Sequence, residues 1–289
     1  MATLIAFDTA TERMTIALRR GERVVAHEGE GGARASATLL PTILRLLGEV
    51  GINVADLDAI AFGRGPGAFT GLRTACSVAQ GLAFGAGKRV LPIDSLLAVA
   101  EDARGDATPF GVWALLDARM DQIYAAEYAY DGERWTVRVA PFLTDCDSLA
   151  ARWQDEPPSA IAGNAIGAFG VRLPTGDATL FGDAAPTATA LLRLAEHAWA
   201  DGAAVEPALA LPLYVRDNVA QTEAERAALR AAKGAPKEPA PPSRREGSEA
   251  GREQSCPAKQ SEAGREQPCP AKQSEAGRDS SRQAQRRAP

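Results

Sequence analysis

Three stretches of this sequence combine residue types and spacings that could do chemistry. The longest is Gly63-Arg64-Gly65-Pro66-Gly67-Ala68-Phe69-Thr70-Gly71-Leu72-Arg73. Glycines let a backbone come close to a ligand, and a helix starting near Thr70 would aim its free N–H groups back at that loop, an arrangement suited to an anion. Arg73 either pairs with such an anion or packs on the helix surface. Gly-Pro-Gly is also a common plain turn, so the structural reading stands beside the ligand reading. The second stretch, Asp8-Thr9-Ala10-Thr11, ends a β-prone run with turn-forming residues. In the third, Asp117, Arg119 and Asp121 share one turn; they have the look of a catalytic set, but an ion cluster shaping a hairpin is the simpler account.

Metal and thiol chemistry find little support. The four cysteines, Cys76, Cys146, Cys256 and Cys269, contain no CxxC pair, and the only histidines are His27 and His197, so zinc-ligand spacing is absent. A disulfide framework is not expected either, and Cys76, in an apolar helical stretch, reads as a buried structural thiol. Hydrophobic residues make up 45% of the 289, enough for a sizeable core. The opening MATLIAFDTATERMTIAL lacks the basic flank and unbroken apolar run of a signal peptide, and no stretch approaches a membrane span. The cytoplasm is the expected compartment.

The elements that must position these residues follow from periodicity and turn signals. Thr3 to Phe7, Met14 to Leu18 and Arg23 to His27 predict a three-stranded meander. A helix over 38–50 follows, with Thr38 as its cap and Pro41 in its first turn, where the missing N–H costs nothing; an earlier cap at Ser36 would leave a kink instead. Its apolar residues, Leu39, Leu40, Ile43, Leu44, Leu46, Leu47 and Val50, exceed one stripe, so one side either awaits a partner or is buried by a neighbouring helix. Leu57 to Phe62 predicts a strand leading into the glycine loop. The helix from Thr70 to about Phe84 carries Ala75, Ala79 and Ala83 four apart, a small-residue face open to close helix pairing. Val90 to Ile93 and a Ser95-capped helix to Ala103 close a β-β-β-α-β-α-β unit.

A second unit repeats the theme, with strands at Phe110 to Leu116, Ile123 to Tyr130 and Trp135 to Val139. Strand edges at Ala160 to Asn164 and Ala178 to Phe181, a helix over Thr187 to Ala200 that packs back on the first lobe, and Leu211 to Val219 complete it. The expected division is therefore 1–103, 104–219 and a disordered tail at 220–289. Residues 221–289 hold no aromatic residue and, of Leu, Ile and Val, only Leu229. A 13-residue unit beginning at Ser248 recurs at Ser261 and starts again at Ser274, without an apolar face to stack on its neighbour; at most, 223–233 extends a helix. Residues 221–289 carry 14 Lys and Arg against 10 Asp and Glu, a net +4, so with −5 for the whole chain the first 220 residues stand at −9. Such an acidic body is a poor platform for nucleic acid unless a partner supplies the charge.

Two successive meander-led units resemble the actin-like ATPase (ASKHA) fold, an α/β class with two lobes. The motifs Phe7-Asp8-Thr9-Ala10-Thr11, Gly63 to Arg73, Leu116-Asp117-Ala118-Arg119-Met120-Asp121-Gln122-Ile123-Tyr124 and Tyr214-Val215-Arg216 together resemble the TsaB (YeaZ) family over about residues 1–219. That resemblance implies a non-catalytic subunit supporting its paralogue TsaD in threonylcarbamoylation of the adenosine beside a tRNA anticodon. The ATPase TsaE would join the pair, and tRNA would be met only through the complex. TsaD uses a metal held by a histidine pair on the helix after its meander; the corresponding Ala33 to Leu40 has no histidine.

By the same resemblance the partner surface is drawn from the first two helices, at Leu39, Leu40, Ile43, Leu44, Leu47, Ala75, Ala79 and Ala83. Asp8, Thr9, Thr11, Gly65, Gly67 and Arg73 would form a vestigial phosphate or anion site, since Ala10 stands where actin-like kinases place the glycine of their first phosphate hairpin. No cofactor of its own is expected, while a weak or interface-shared nucleotide and a homodimer in the absence of TsaD stay open. The competing readings, an autonomous actin-like kinase and a metallopeptidase, need an intact phosphate hairpin and a histidine ligand set respectively.

Overall fold

The computed structural model describes residues 2–216, which fall in one compact unit. The tail readings (the repeats, the 223–233 helix, Cys256 and Cys269) and the end of the 211–219 stretch lie outside the described residues.

The N-terminal meander forms as β1 (Leu4–Asp8), β2 (Arg13–Arg20) and β3 (Arg23–Glu30). Helix α1 (Ala35–Glu49), strand β4 (Ala59–Gly65), helix α2 (Phe69–Ala86), strand β5 (Arg89–Asp94) and helix α3 (Ser95–Arg104) follow. The first sheet has the order β3-β2-β1-β4-β5, antiparallel across the meander and parallel from β1 to β4 to β5. Every residue of β1 is buried because helices cover both faces of this central strand, which is why it reads as an apolar run and not as an alternation.

The second lobe contains β6 (Phe110–Asp117), β7 (Ile123–Tyr130), β8 (Trp135–Thr144), α4 (Cys146–Asp155), β9 (Ala160–Ala162), α5 (Ala165–Phe169), β10 (Thr179–Phe181) and α6 (Ala188–Ala200). Its sheet order, β10-β9-β6-β7-β8, repeats the plan of the first, a meander joined through its first strand to two parallel strands. The duplicated plan expected from the sequence is present. Helix α4, capped by Asp145 accepting from the Ser148 N–H, is additional to the expected elements; its ten residues bury only Leu149 and Trp153, too few to show a helical period.

Helices α1 and α2 cover one face of the first sheet, where Leu39, Ile43, Leu47, Ala75, Ala79 and Ala83 pack on Ile5, Phe7, Ile16 and Ile60. Helix α6 packs on the other face, so the expectation that it returns to the first lobe holds. Helix α3 lies between it and the second sheet. Glu101 on α3 ties this layer together: it accepts from Arg193 of α6 at 2.7 Å, from Trp135 of β8 at 2.9 Å and from Arg104 at 2.9 Å. Burial alone would raise its pKa, but these donors hold it below the ordinary value.

Two capping expectations need correction. Helix α1 begins at Ala35, after a 3-10 turn at Gly32–Arg34, so Pro41 lies in the second turn and Thr38 is inside the helix, its hydroxyl donating to the Arg34 carbonyl at 3.0 Å. That side-chain bond competes with capping at the same residue. Ser95 likewise does not cap α3. It is the first helical residue, and its hydroxyl turns to the buried Asp8.

Candidate functional site

Asp8 ends β1 with its carboxylate fully buried. One oxygen accepts from the Ala10 N–H at 2.6 Å and the other from the Ser95 hydroxyl at 2.7 Å, while Ser95 accepts from the Gly65 N–H at 3.2 Å. Burial raises the Asp8 pKa to about 6 against the pull of those two hydrogen bonds. The Thr9 hydroxyl is buried and donates to the Gly71 carbonyl at 2.7 Å. Thr11 is half-buried and bonds only to the neighbouring Arg13 backbone.

The glycine loop makes a close backbone approach, and what it approaches is this same turn. A Cβ on Gly63 would stand 1.6 Å from the Asp8 carboxylate, one on Gly71 1.8 Å from the Thr9 carbonyl, and one on Gly67 2.5 Å from the Ala10 carbonyl. The Ala68 N–H donates to the Ala10 carbonyl at 2.7 Å, so a donor at the start of α2 that could have met an anion is already used by the chain. Asp8, Thr9, Gly65 and Gly67 therefore form a packed joint between two loops. Arg73 lies apart from it, exposed on α2, its guanidinium 3.6 Å from the Phe69 ring centroid and donating to the Tyr214 hydroxyl at 3.2 Å. Helix-surface packing is the role the structure gives it.

Beside this joint a cleft of about 940 Å³ opens between the lobes, lined by the Ala10–Arg13 turn, the start of α2, the β6–β7 turn, Asp183–Pro186 and Leu213–Arg216. The β6–β7 turn holds three consecutive non-glycine residues in left-handed conformation, Arg119, Met120 and Asp121, with φ of 61°, 55° and 63°. Such residues are strained and persist only when surroundings over-determine them. Here Arg119 pairs with Asp117 at 3.2 Å and reaches across the cleft to Glu12. Asp121 pairs with Arg172 at 2.6 Å, which holds its carboxyl below the ordinary value. Arg216 donates to the Ala118 carbonyl at 2.8 Å and to the Met120 sulfur at 3.2 Å. The ion cluster expected at Asp117, Arg119 and Asp121 is thus extended by Glu12 and Arg172, and Arg216 braces the same turn through the Ala118 carbonyl and the Met120 sulfur, all three distant in sequence.

The outer surface of α1 and α2 differs from the expected one. Leu39, Ile43 and Leu47 are fully buried or nearly so, and Ala75, Ala79 and Ala83 are at 0% exposure, all within their own lobe. The alanine face does permit close helix approach, but the approach is to α1 and to β4. What α1 shows outward is Leu40 and Leu44, 39% and 51% exposed; α2 shows Phe84, 84% exposed, and the small-residue row Ser77, Gly81 and Gly85. That row lies two residues on from the alanines, about 200° round the helix, and a Cβ on Gly81 or Gly85 would meet nothing within 4 Å. Two small-residue rows, each with spacing four, run along α2, and no local feature of the chain favours the second. Among the described residues no helix is long and apolar enough to cross a membrane, and no group of three or more His, Cys, Asp or Glu is placed to hold a metal ion.

Comparison with known proteins agrees with the motifs and the duplicated fold. Residues 30–191 match the family model described as TsaD, tRNA N6-adenosine threonylcarbamoyltransferase. The tRNA threonylcarbamoyladenosine biosynthesis protein TsaB of Escherichia coli is 32% identical over 226 residues, covering 75% of this chain and 96% of the relative. Its namesake from Haemophilus influenzae is 43% identical over 127 residues, 43% of this chain and 53% of the relative. The solved structure of YeaZ from Pseudomonas aeruginosa superposes with a TM-score of 0.67 at 37% identity, covering 74% of this chain and all of that one. The two mixed sheets are those of an actin-like fold, and the chain belongs to the TsaB (YeaZ) family.

Proposed function

We propose that this protein acts in tRNA threonylcarbamoyladenosine biosynthesis as a non-catalytic cytoplasmic subunit that binds and supports the TsaD transferase, with TsaE joining the pair and tRNA met only through the complex. The observation that carries the partner role is the outer face of α1 and α2, where Leu40, Leu44 and Phe84 stand exposed beside a glycine and serine row without a charged side chain. Large exposed apolar side chains flanked by small residues suit the close docking of another protein's helices. The names of the relatives supply the pathway.

A supporting role accords with the state of the Asp8–Thr11 turn. In a phosphate hairpin the turn amides must be free for phosphate; here the Ala10 N–H is held by Asp8 and the Ala10 carbonyl by Ala68. An autonomous kinase would need that joint opened. In this reading any nucleotide is shared with the partner at its interface and not held by this chain alone. Co-purification with the TsaD of the same cell, followed by an assay on unmodified tRNA with and without this chain, tests the proposal. Modification that needs both proteins supports it, whereas turnover by this chain alone, or TsaD activity indifferent to it, overturns it.

A further inference from the structure

Helix α2 has a single charged residue, Arg73, and α1 has two, Arg45 and Glu49, which pair with each other. At 100° per residue, Arg73 and Phe84 leave α2 within about 20° of one another and about 16 Å apart along it. Arg73 therefore stands at one end of the face on which Leu44 and Phe84 are exposed. Its guanidinium is already oriented, 3.6 Å from the Phe69 ring centroid and with Nε donating to the Tyr214 hydroxyl at 3.2 Å. The two terminal nitrogens, the fork that takes a carboxylate by two parallel bonds, have no hydrogen bond or ion pair among the described residues. Acids of the flanking segments are engaged elsewhere: Asp94 with Arg64, Glu206 with Arg89, Glu12 with Arg119. Asp117, which pairs with Arg119, and Asp183 line the neighbouring cleft, and neither lies within ion-pair distance of Arg73.

We propose that Arg73 receives a carboxylate from the protein that docks on α1 and α2, an Asp or Glu on a helix of TsaD, in a two-bond ion pair that sets the partner's register along α2. This rests on the reading of that face as the TsaD-binding surface and adds the chemistry the partner must present. Charge complementarity selects the occupant. A second copy of this chain would bring to the same place another Arg73 and no free carboxylate on either helix. Apolar contacts hold two helices together without fixing their register, whereas a charge pair at one end of the face does fix it.

The test measures the Kd of the full chain for TsaD by calorimetry, with the melting temperature of each variant alongside. Arg73→Ala should weaken binding at least about tenfold and Arg73→Glu further. Arg73→Lys should recover only part of the loss, because an ammonium has no planar fork to offer. Binding by the unaltered chain should fall with added salt more steeply than binding by Arg73→Ala. The deciding arm replaces each Asp and Glu on the TsaD helices by Arg in turn. One such change should tighten binding of the Arg73→Glu chain at least about tenfold, a gain on the partner's side that folding of this chain cannot produce. Rescue by none of them would overturn the proposal. Affinity lost in Leu44→Glu but unchanged in Arg73→Ala and Arg73→Glu would also overturn it while leaving the docking face in place, and affinity unchanged in all three would overturn both. Unchanged affinity for TsaD with weakened binding of tRNA by the complex would assign Arg73 to an RNA phosphate and likewise overturn the proposal.

Discussion

The two lobes share one strand order, yet the turn after the first strand has opposite fates in them. In the first lobe, Asp8 to Thr11 is sealed under the glycine loop, its polar groups satisfied by backbone and one serine. In the second, Asp117 to Met120 lines the cleft, Arg119, Met120 and Asp121 are in left-handed conformation, and Glu12, Arg172 and Arg216 from elsewhere in the chain hold the turn. Each sheet has a glycine beside its first strand. Gly63 faces Asp8, and Gly163, with φ of 111°, would put a Cβ 2.1 Å from the Leu115 carbonyl. The difference teaches that a duplicated topology fixes where a turn lies but not whether it is free to meet a ligand. That depends on what the next loop packs against.

The sharpest way to break the sealed joint is to fill it. Gly71→Ala and Gly63→Ala drive a methyl group into the Thr9 carbonyl and the Asp8 carboxylate, and each should cost more than about 3 kcal/mol in denaturant unfolding. Gly81→Ala, in open space on the same helix as Gly71, should be neutral or stabilising by up to about 1 kcal/mol. Equal effects at the three positions would show that the joint is not packed.

Next in size is the contrast between the buried and exposed faces of α2. Ala79→Glu places a charge at a site with 0% exposure and should unfold the lobe, since a buried charge without a partner costs several kcal/mol. Phe84→Glu and Leu44→Glu should leave the melting temperature within about 2 °C while abolishing capture by TsaD. Binding lost only with folding would return these helices to a purely structural role.

A smaller effect comes from the Asp8 carboxyl. Its pKa is raised to about 6 from 3.8, so between those values the folded state binds more protons than the unfolded one. This group's contribution to stability therefore falls as pH rises from about 4 to 6 and is level above, a loss on the order of 3 kcal/mol. Asp8→Asn should flatten that slope in unfolding measured from pH 4 to 7; a slope unchanged by the substitution would show that Asp8 is not its source. Least of all, Arg119→Ala removes exposed ion pairs and should cost about 1 kcal/mol or less, yet hydrogen exchange in the 118–122 turn should rise. Unaltered exchange there would mean the backbone alone fixes the left-handed turn.

The sequence by itself determined the strands, helices α1, α2, α3 and α6, the duplication, the glycine loop and the family, but not α4 or α5. These rest on local signals: β-prone runs, turn residues, helical spacing and motifs contiguous in the chain. It also placed the Asp117, Arg119 and Asp121 cluster on one turn, because all three belong to one short segment. Only the tertiary structure decided which small-residue row of α2 faces out, since Ala75, Ala79 and Ala83 and Ser77, Gly81 and Gly85 have the same period and differ only in which side the sheet covers. It alone decided that the glycines serve Asp8, Thr9 and Ala10 and not a ligand, because loops more than fifty residues apart meet through strand pairing of β1 with β4, a contact that no local spacing encodes.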